Sequence, residues 1–273
     1  MPQAEIKRTG AIAYRQAGPP WSARVPVLCL HGWPQSSYMW RHLLPALASA
    51  GQPALAPDLP GFGDSPPDPP GTWERHVEAV ERFRREAGLD RVVLVVHDTG
   101  GAIGLRWACD HPEAVAGMVI TNTGFFPDYE WHEIARTMRT EGQGEALVDS
   151  VSREGLAALL AAASSGIDER AVDEYWKAFS DQEGRRGMLE LYRSLDFDEL
   201  EPYQGRLAEL GVPTLVLWGE KDDYLPCDYA SRFAREIPGA RLALVETAGH
   251  FLFEDEPERC ARAMIDFLRQ VVL

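Results

Sequence analysis

Residues 94–101, which read Leu-Val-Val-His-Asp-Thr-Gly-Gly, contain the side chain with the clearest chemical potential in this chain, Asp98. An apolar run that ends at one reactive residue and two glycines predicts a strand, a sharp turn and a helix. That layout holds the reactive side chain exposed above a sheet. A serine at this place would attack acyl groups, but no Gly-x-Ser-x-Gly motif occurs in the sequence. A carboxylate is instead suited to displace a leaving group from a saturated carbon and to become an ester.

Two further motifs supply the partners that such a carboxylate needs. Trp-Gly-Glu-Lys-Asp ends at Asp222 after one apolar run, and Ala-Gly-His-Phe contains His250 after the next. A histidine that is oriented by a carboxylate can act as the general base for a water molecule. We therefore expect His250, held by Asp222, to activate the water that cleaves the Asp98 ester.

A third motif, His31-Gly32-Trp33-Pro34, follows the apolar run 25–30. A turn that contains glycine lets backbone N–H groups point into a site, where they can stabilise a developing oxyanion. We expect the N–H groups of Trp33 and Thr99 to form this oxyanion hole, since Thr99 directly follows the nucleophile. His31 and His97 are expected to have structural roles.

The elements that must position these residues alternate between short apolar runs and amphipathic stretches, which predicts an α/β fold with a mostly parallel sheet flanked by helices. The expected strands are 25–30, 54–58, 92–96, 115–120, 214–218 and 242–246, and the expected helices are 37–50, 72–87, 103–109, 230–236 and 257–271.

The alternation stops between residues 125 and 206, where only helical stretches are predicted, at 155–163, 168–179 and 185–195. This block is predicted to be a helical cap (125–206) that is inserted into a core made of 1–124 and 207–273. We expect it to cover the carboxyl edge of the sheet, because ligands of open α/β sheets bind outside that edge.

Composition narrows the class of partner. The chain has 273 residues and a net charge of −15, which argues against binding to nucleic acid or to an anionic membrane surface. No apolar run approaches the roughly 20 residues of a membrane span, and residues 1–7 lack the apolar core of a signal peptide. The four cysteines are scattered and are expected to be reduced thiols. We therefore expect a cytoplasmic monomer or homodimer without metal or cofactor, acting on a small apolar or weakly polar organic substrate and water.

Taken together, five motifs in order resemble the α/β-hydrolase superfamily. They are His-Gly-Trp-Pro at 31–34, Gly-Phe-Gly-Asp-Ser at 61–65, His-Asp-Thr-Gly-Gly at 97–101, the stretch 218–222, and Gly-His at 249–250. The chain is most similar to the aspartate-nucleophile branch, which contains epoxide hydrolases and haloalkane dehalogenases. The resemblance implies the triad Asp98, Asp222 and His250. It favours Asp222 over its neighbour Asp223, since Asp222 stands three residues after Gly219.

The resemblance also bears on the leaving group. Dehalogenases carry a tryptophan after the nucleophile and often an asparagine after the His-Gly pair, whereas this chain has Thr99 and Trp33 at those places. At best the indole N–H of Trp33 replaces one halide ligand. Epoxide hydrolases use two cap tyrosines to protonate the departing oxygen. The resemblance implies that Tyr192, which stands 30 positions before Asp222, is one of these two tyrosines. Tyr129 is the first candidate for the second tyrosine, and Tyr175 is the other candidate.

Other positions resemble the dehalogenases. These are Val96, two residues before the nucleophile, and the stretches 34–40 and 249–255. Epoxide hydrolysis is the first expectation and haloalkane dehalogenation is the alternative. A non-catalytic binding protein of this fold is a remote third, while Asp98 in place of a serine disfavours an esterase or lactonase.

Overall fold

The computed structural model describes residues 4–20 and 24–271, so part of the amino-terminal stretch 1–7 lies outside the described residues. The strands are β1 (Glu5–Thr9), β2 (Ile12–Ala17), β3 (Val27–Leu30), β4 (Ala54–Pro57), β5 (Val92–His97), β6 (Val115–Thr121), β7 (Thr214–Gly219) and β8 (Arg241–Val245). Within the described ranges these eight strands form one sheet in the order β1-β2-β4-β3-β5-β6-β7-β8. β3 to β8 run parallel, which confirms the predicted mostly parallel sheet.

The hairpin of β1 and β2 is an addition to the expected strands. β1 pairs antiparallel with β2, which pairs antiparallel with β4. The first four residues of β1 are exposed, so this strand lacks the apolar run that marks a buried one. The position of β1 depends on its pairing with β2, and a local sequence pattern does not reveal such pairing.

The helices are α1 (Leu43–Ser49), α2 (Trp73–Glu86), α3 (Thr99–Asp110), α4 (Glu133–Arg139), α5 (Gln143–Ser150), α6 (Arg153–Ala163), α7 (Glu169–Trp176), α8 (Gln182–Ser194), α9 (Arg206–Glu209), α10 (Cys227–Glu236), α11 (Leu252–Asp255) and α12 (Pro257–Val271). Between β6 and β7 the described chain forms helices and no strand, and α4 and α5 add to the helices expected there.

The single helix expected at 37–50 is instead a short 3-10 helix, Ser37–Trp40, followed by α1. The Asp58 carboxylate accepts a hydrogen bond from the Ser37 N–H at 2.7 Å, and the Ser36 hydroxyl accepts one from the Tyr38 N–H. These side-chain acceptors compete with helical bonding and fix a tighter first turn. Pro45 then lies in the first turn of α1, where its missing N–H costs nothing.

The position of the sheet explains why the chemical residues meet. Every residue of β3, β5 and β7 is buried, so the middle of the sheet is the centre of the core. Because β3, β5, β6, β7 and β8 are parallel, the segments that follow them emerge at one edge. Among the described residues no helix combines the length and the apolar character needed to cross a bilayer.

Candidate active site

Asp98 forms the apex of the turn between β5 and α3, with φ 51° and ψ −129°. This backbone conformation is rare for a residue with a side chain and costs about 1–3 kcal/mol. The neighbouring backbone holds this conformation in place, because positions 32 and 100 beside the turn have room only for glycine. A Cβ on Gly32 would lie 2.4 Å from Asp98 Oδ1, and a Cβ on Gly100 would lie 2.2 Å from the His31 carbonyl oxygen.

The two carboxylate oxygens of Asp98 have different neighbours. Oδ1 accepts a hydrogen bond from the Trp33 backbone N–H at 2.8 Å. Oδ2 lies 3.6 Å from His250 Nε2. Thr99 is the first residue of α3, whose amino-terminal N–H groups lack partners within the helix. The turn thus brings together Asp98, the Trp33 N–H and the histidine expected from the sequence.

The hydrogen bond to Asp222 fixes the orientation of His250. His250 Nδ1 lies 2.8 Å from Asp222 Oδ2, and a carboxylate can only accept, so Nδ1 carries the proton. In the neutral ring Nε2 then has a free lone pair, and this nitrogen is the one that faces Asp98. Asp223, the alternative acid, is exposed. The structure therefore brings Asp222 to His250.

Asp222 is itself fully bonded. Its Oδ1 accepts from the backbone N–H groups of Tyr224 at 2.7 Å and Leu225 at 2.9 Å. Its Oδ2 accepts from the Asn122 side-chain amide at 2.6 Å as well as from His250. Since the carboxylate is buried, these donors replace the water it would otherwise bind.

Sequence reasoning missed Asn122, which links the two carboxylates. Its φ is 37°, its carbonyl oxygen accepts from the Asp98 N–H at 3.0 Å, and its side chain contacts both Asp222 and the Gly219 N–H. One residue at the end of β6 therefore positions the backbone of Asp98 and the side chain of Asp222. The available signal was an asparagine directly after a strand, since asparagine tolerates this backbone region better than most residues.

Nearby charges and burial shift the pKa values of His250 and Asp222 in opposite directions. Burial lowers the pKa of His250, but the Asp222 carboxylate, its hydrogen bond and Asp98 outweigh burial and raise that pKa above its usual value. Burial likewise favours the neutral form of Asp222, yet His250 and the Asn122 amide outweigh it and lower the Asp222 pKa. The pair is thus arranged so that Asp222 stabilises a proton on His250.

The other histidines near the turn have structural surroundings. Burial lowers the pKa of His31 to about 4, and its Nε2 accepts from the Leu59 N–H at 3.0 Å. Burial also lowers the pKa of His97 well below its usual value, and its Nδ1 contacts the Thr121 hydroxyl at 3.2 Å. Both side chains are therefore neutral, as expected for groups that hold loops.

A small cavity, which we call the reaction cavity, lies beside Asp98. Its lining residues are Trp33, Pro34, Asp98, His132, Leu159, Leu160, Ala163, Tyr192, Tyr224, His250 and Phe251. Its volume is about 20 Å³, which is room for about one water molecule. His132, whose side chain caps the amino terminus of α4, was also missed by sequence reasoning.

Tyr192 is the predicted tyrosine that lines the reaction cavity. It is 2% exposed, and burial together with the Asp98 charge raises its pKa well above the usual value. Two hydrogen bonds fix α8, one before and one after Tyr192 in the sequence. The Gly71 N–H donates to Glu190 at 2.7 Å, and the Trp73 N–H donates to the Ser194 hydroxyl at 2.8 Å. The phenol is therefore a neutral O–H donor on a fixed helix.

The other two tyrosines have different surroundings. Tyr129 packs against the rings of Trp131 and Phe197 at 5.0 and 4.9 Å and is not among the residues that line the reaction cavity. Burial and then the Asp98 charge raise the pKa of Tyr129, and its chemical role stays a prediction. Tyr175 donates its hydroxyl proton to the buried Glu254, which leaves that O–H occupied.

Comparison with known proteins places this geometry in a family. The family model described as "alpha/beta hydrolase fold" matches residues 25–257. The chain belongs to the α/β-hydrolase fold family. As an α/β-hydrolase it falls in the branch of haloalkane dehalogenase-like and epoxide hydrolase-like proteins, and it is a hydrolase of this fold.

Relatives of this α/β-hydrolase include haloalkane dehalogenases. One from Mycobacterium marinum is 32% identical over 89% of this chain and 84% of its own length. One from Bradyrhizobium diazoefficiens is 29% identical over 97% and 94%. A crystal structure of the haloalkane dehalogenase DbeA from Bradyrhizobium elkani superposes with a TM-score of 0.86 at 26% identity, covering 98% of both chains.

Proposed function

We propose that this α/β-hydrolase cleaves a carbon–leaving group bond in two steps through an ester on Asp98. The observation that carries the proposal is the arrangement of Asp98, His250 and Asp222. Asp98 Oδ2, which lies 3.6 Å from His250 Nε2, attacks the carbon while the leaving group departs with the bonding electrons. Oδ1 stays bonded to the Trp33 N–H and becomes the carbonyl oxygen of the ester.

In the second step, His250 Nε2 takes a proton from water as the water oxygen attacks Cγ of Asp98. The negative charge that develops on Oδ1 is stabilised by the N–H groups of Trp33 and Thr99. The Asp222 carboxylate stabilises the imidazolium that forms. The carbon–oxygen bond of the ester then breaks, His250 returns its proton to the departing oxygen, and the alcohol leaves. The Asp98 carboxylic acid that remains releases its proton, which regenerates the carboxylate.

The first candidate for the leaving group is a halide. Several relatives that match almost the whole chain are haloalkane dehalogenases, which supports this order over the expectation from sequence, where epoxides came first. A halide needs N–H or O–H donors as it departs. The indole Nε1 of Trp33 is buried, has no hydrogen-bond partner among the described residues, and belongs to a ring that lines the reaction cavity. It is the donor that we assign to the halide.

The second candidate is an epoxide, and a specific observation favours it. An alkoxide that forms on ring opening must be protonated, and a phenol is a suitable acid for this because its pKa lies below that of water. Tyr192 lines the same cavity as Asp98. It makes no side-chain hydrogen bond among the described residues that would occupy its hydroxyl.

We also propose that residues 125–206 act as a cap on a core of 1–124 and 207–273. The support is that Tyr192 and His132 from this helical block line the cavity that contains Asp98. In this arrangement the cap excludes bulk water and supplies Tyr192, the donor for an epoxide oxygen. The core supplies the nucleophile, the base, the oxyanion hole and the Trp33 indole that we assign to a halide.

The test uses His250→Gln, which removes the base and leaves the nucleophile intact. The variant is incubated with 1-bromobutane or with styrene oxide, and the peptide that contains Asp98 is analysed by mass spectrometry. The proposal expects a stable alkyl adduct on Asp98, and the substrate that gives it identifies the leaving group. Absence of an adduct from both substrates, together with no release of bromide or diol by the wild type, would favour the binding-protein alternative.

A further inference from the structure

The backbone of the loop that carries His250 is held from two sides. On one side, the Gly249 carbonyl oxygen packs so closely on the end of β7 that a Cβ on Gly219 would lie 2.0 Å from it. On the other side, the Gly249 N–H donates a hydrogen bond to Asp255 Oδ2 at 3.0 Å. Because Gly249 directly precedes His250, the Asp255 carboxylate helps to fix the backbone from which the imidazole extends.

The contacts of Asp255 explain why an acid stands at this position. It is the last residue of α11, and the helix dipole disfavours a negative charge at the carboxyl end of a helix. Its two oxygens have separate donors, which are the Gly249 N–H at Oδ2 and the Ser164 hydroxyl at Oδ1, at 2.6 Å. Hydrogen bonds to a charged acceptor are stronger than those between neutral groups. The carboxylate is therefore fixed between the loop before the base and Ser164.

Ser164 brings the helical block 125–206 into this arrangement. It is buried, it directly follows α6, and its hydroxyl also accepts from the Gly166 N–H at 3.1 Å. Gly166 lies against α11, where a Cβ would come within 1.9 Å of the Glu254 carbonyl oxygen. Ala163, the last residue of α6, lines the reaction cavity. One turn of the helical block thus contacts both the reaction cavity and the carboxylate that holds the loop of the base.

We propose that Asp255 is a positioning residue for His250 and that Ser164 of the helical block holds Asp255 in place. This rests on the proposed function, in which His250 acts only in the second step. A displacement of about 1 Å between reacting groups can cost about 10²-fold in rate. Loss of the Asp255 bonds therefore slows cleavage of the Asp98 ester and leaves formation of that ester unchanged.

The test resolves the two steps in a single turnover with 1-bromobutane or styrene oxide. The reaction is stopped at successive times, and mass spectrometry follows the adduct on the peptide that contains Asp98. Asp255→Ala is expected to form the adduct within about twofold of the wild-type rate and to cleave it about 10²-fold more slowly. Ser164→Ala removes only the bond from the helical block and is expected to slow cleavage about tenfold. The Ser164→Ala result decides the matter if Asp255→Ala does not fold.

Asp255→Asn separates the hydrogen bonds of Asp255 from its charge. Asparagine keeps an oxygen that accepts from the Gly249 N–H and is expected to restore cleavage to within about threefold of the wild-type rate. Burial lowers the pKa of His250, and of the Asp222, Asp98 and Asp255 carboxylates that raise it, Asp255 contributes least. The loss of its charge is therefore expected to have a small effect.

Glu256→Ala is the matched control. Glu256 is the next acid along the chain and also bonds to the loop before His250, since it accepts from the Thr247 hydroxyl at 2.6 Å. Both of its rates are expected to equal those of the wild type. Equal slowing of the two steps in Asp255→Ala, no rescue in Asp255→Asn, or the same loss in Glu256→Ala would overturn the proposal. Wild-type cleavage in Ser164→Ala would overturn the part assigned to the helical block.

A second measurement does not depend on turnover. The proton on His250 Nδ1, which is bonded to Asp222, is observed by NMR in protein labelled with nitrogen-15 histidine, and its exchange with solvent is measured. Faster exchange is expected in Asp255→Ala than in the wild type and in Glu256→Ala, because the ring is held less firmly. This difference in exchange, with no adduct in any of the proteins, contradicts the proposed chemistry and leaves the positioning role standing. Equal exchange in the three proteins, with no adduct in any, contradicts both.

Discussion

The affinity of His250 for a proton depends chiefly on the Asp222 carboxylate at 2.8 Å, to which the Asp98 charge adds. Water activation requires neutral His250, so activity falls as the pH drops through its pKa. Because that pKa is raised, the acid limb of the wild-type kcat profile is expected above the ordinary histidine value of about 6.5. Asp222→Asn is expected to move this limb to lower pH and to reduce kcat about 10⁴-fold.

The measurement is the pH dependence of kcat with whichever substrate forms the adduct. Asp223→Asn is the control, since Asp223 is exposed and adjacent in sequence. It is expected to keep the wild-type profile. A large loss in Asp223→Asn, with little change in Asp222→Asn, would reverse the assignment of the acid.

Two conservative substitutions separate the leaving groups. Trp33→Phe removes the unpartnered indole N–H and retains both the ring and the backbone N–H, and Tyr192→Phe removes only the phenol. Halide release is expected to fall about 10²- to 10³-fold in Trp33→Phe, by analogy with loss of one charge-stabilising donor. Diol formation from an epoxide is expected to suffer most in Tyr192→Phe. Steady-state rates on both substrates test this, and equal losses in the two variants would contradict the assignment of donors.

Among individual residues, those that belong to local motifs could be predicted from the sequence. Asp98, Asp222 and His250 each follow a recognisable strand and lie within three residues of a glycine, so short patterns were sufficient. Asn122 was not predicted, because its role depends on a left-handed backbone and on a contact with a residue 100 positions away. Neither property is visible in a short window.

Among the elements, the turn from β5 into α3 depends on close backbone contact. Gly100→Ala would place a methyl group 2.2 Å from the His31 carbonyl oxygen, and backbone atoms cannot move aside as a flexible side chain does. We expect a loss of about 3 kcal/mol in the free energy of unfolding. Gly187→Ala on α8, which meets no atom within 4 Å, is expected instead to gain about 0.5–1 kcal/mol. Denaturant unfolding of both variants tests this, and similar values for the two would contradict the account of the turn.

The parallel strands were predictable because each is a short apolar run between turn residues. α3 begins at Thr99, four residues before the helix expected from sequence, because Gly100 and Gly101 are helical here despite their low propensity. Tertiary packing against β3 and β6 compensates for that propensity, as the close approaches of both glycines to His31 and Thr123 indicate.

Over the whole molecule, a buried polar contact joins the helical block to α11, which follows the last strand of the sheet. Tyr175 on α7 donates to Glu254, which also pairs with Arg41. Tyr175→Phe is expected to lower the free energy of unfolding by about 1.5–3 kcal/mol, because the lost hydrogen bond involves a buried charge. Tyr203→Phe, which loses an exposed bond to Asp110, is expected to cost less than about 0.5 kcal/mol. Thermal and denaturant unfolding measure both, and equal effects would argue against a stabilising role for the Tyr175 contact.

The size of the substrate could not be predicted from the sequence. The shape of the space near Asp98 depends on how α4, α5, α6 and α8 pack, and only α6 and α8 of these were expected from helical periodicity. The net charge of −15 disfavours a strongly anionic substrate, and the apolar side chains that α4, α5 and α6 present beside the reaction cavity favour an uncharged one.

The central claim is that Asp98, and not water, attacks the substrate carbon. It is tested most directly by a single turnover of the wild type, in excess over substrate, in water enriched in oxygen-18. The account predicts that the alcohol produced is unlabelled and that the label appears in the Asp98 carboxylate, because water attacks Cγ of the ester. Labelled alcohol in that first turnover, with unlabelled Asp98, would contradict it.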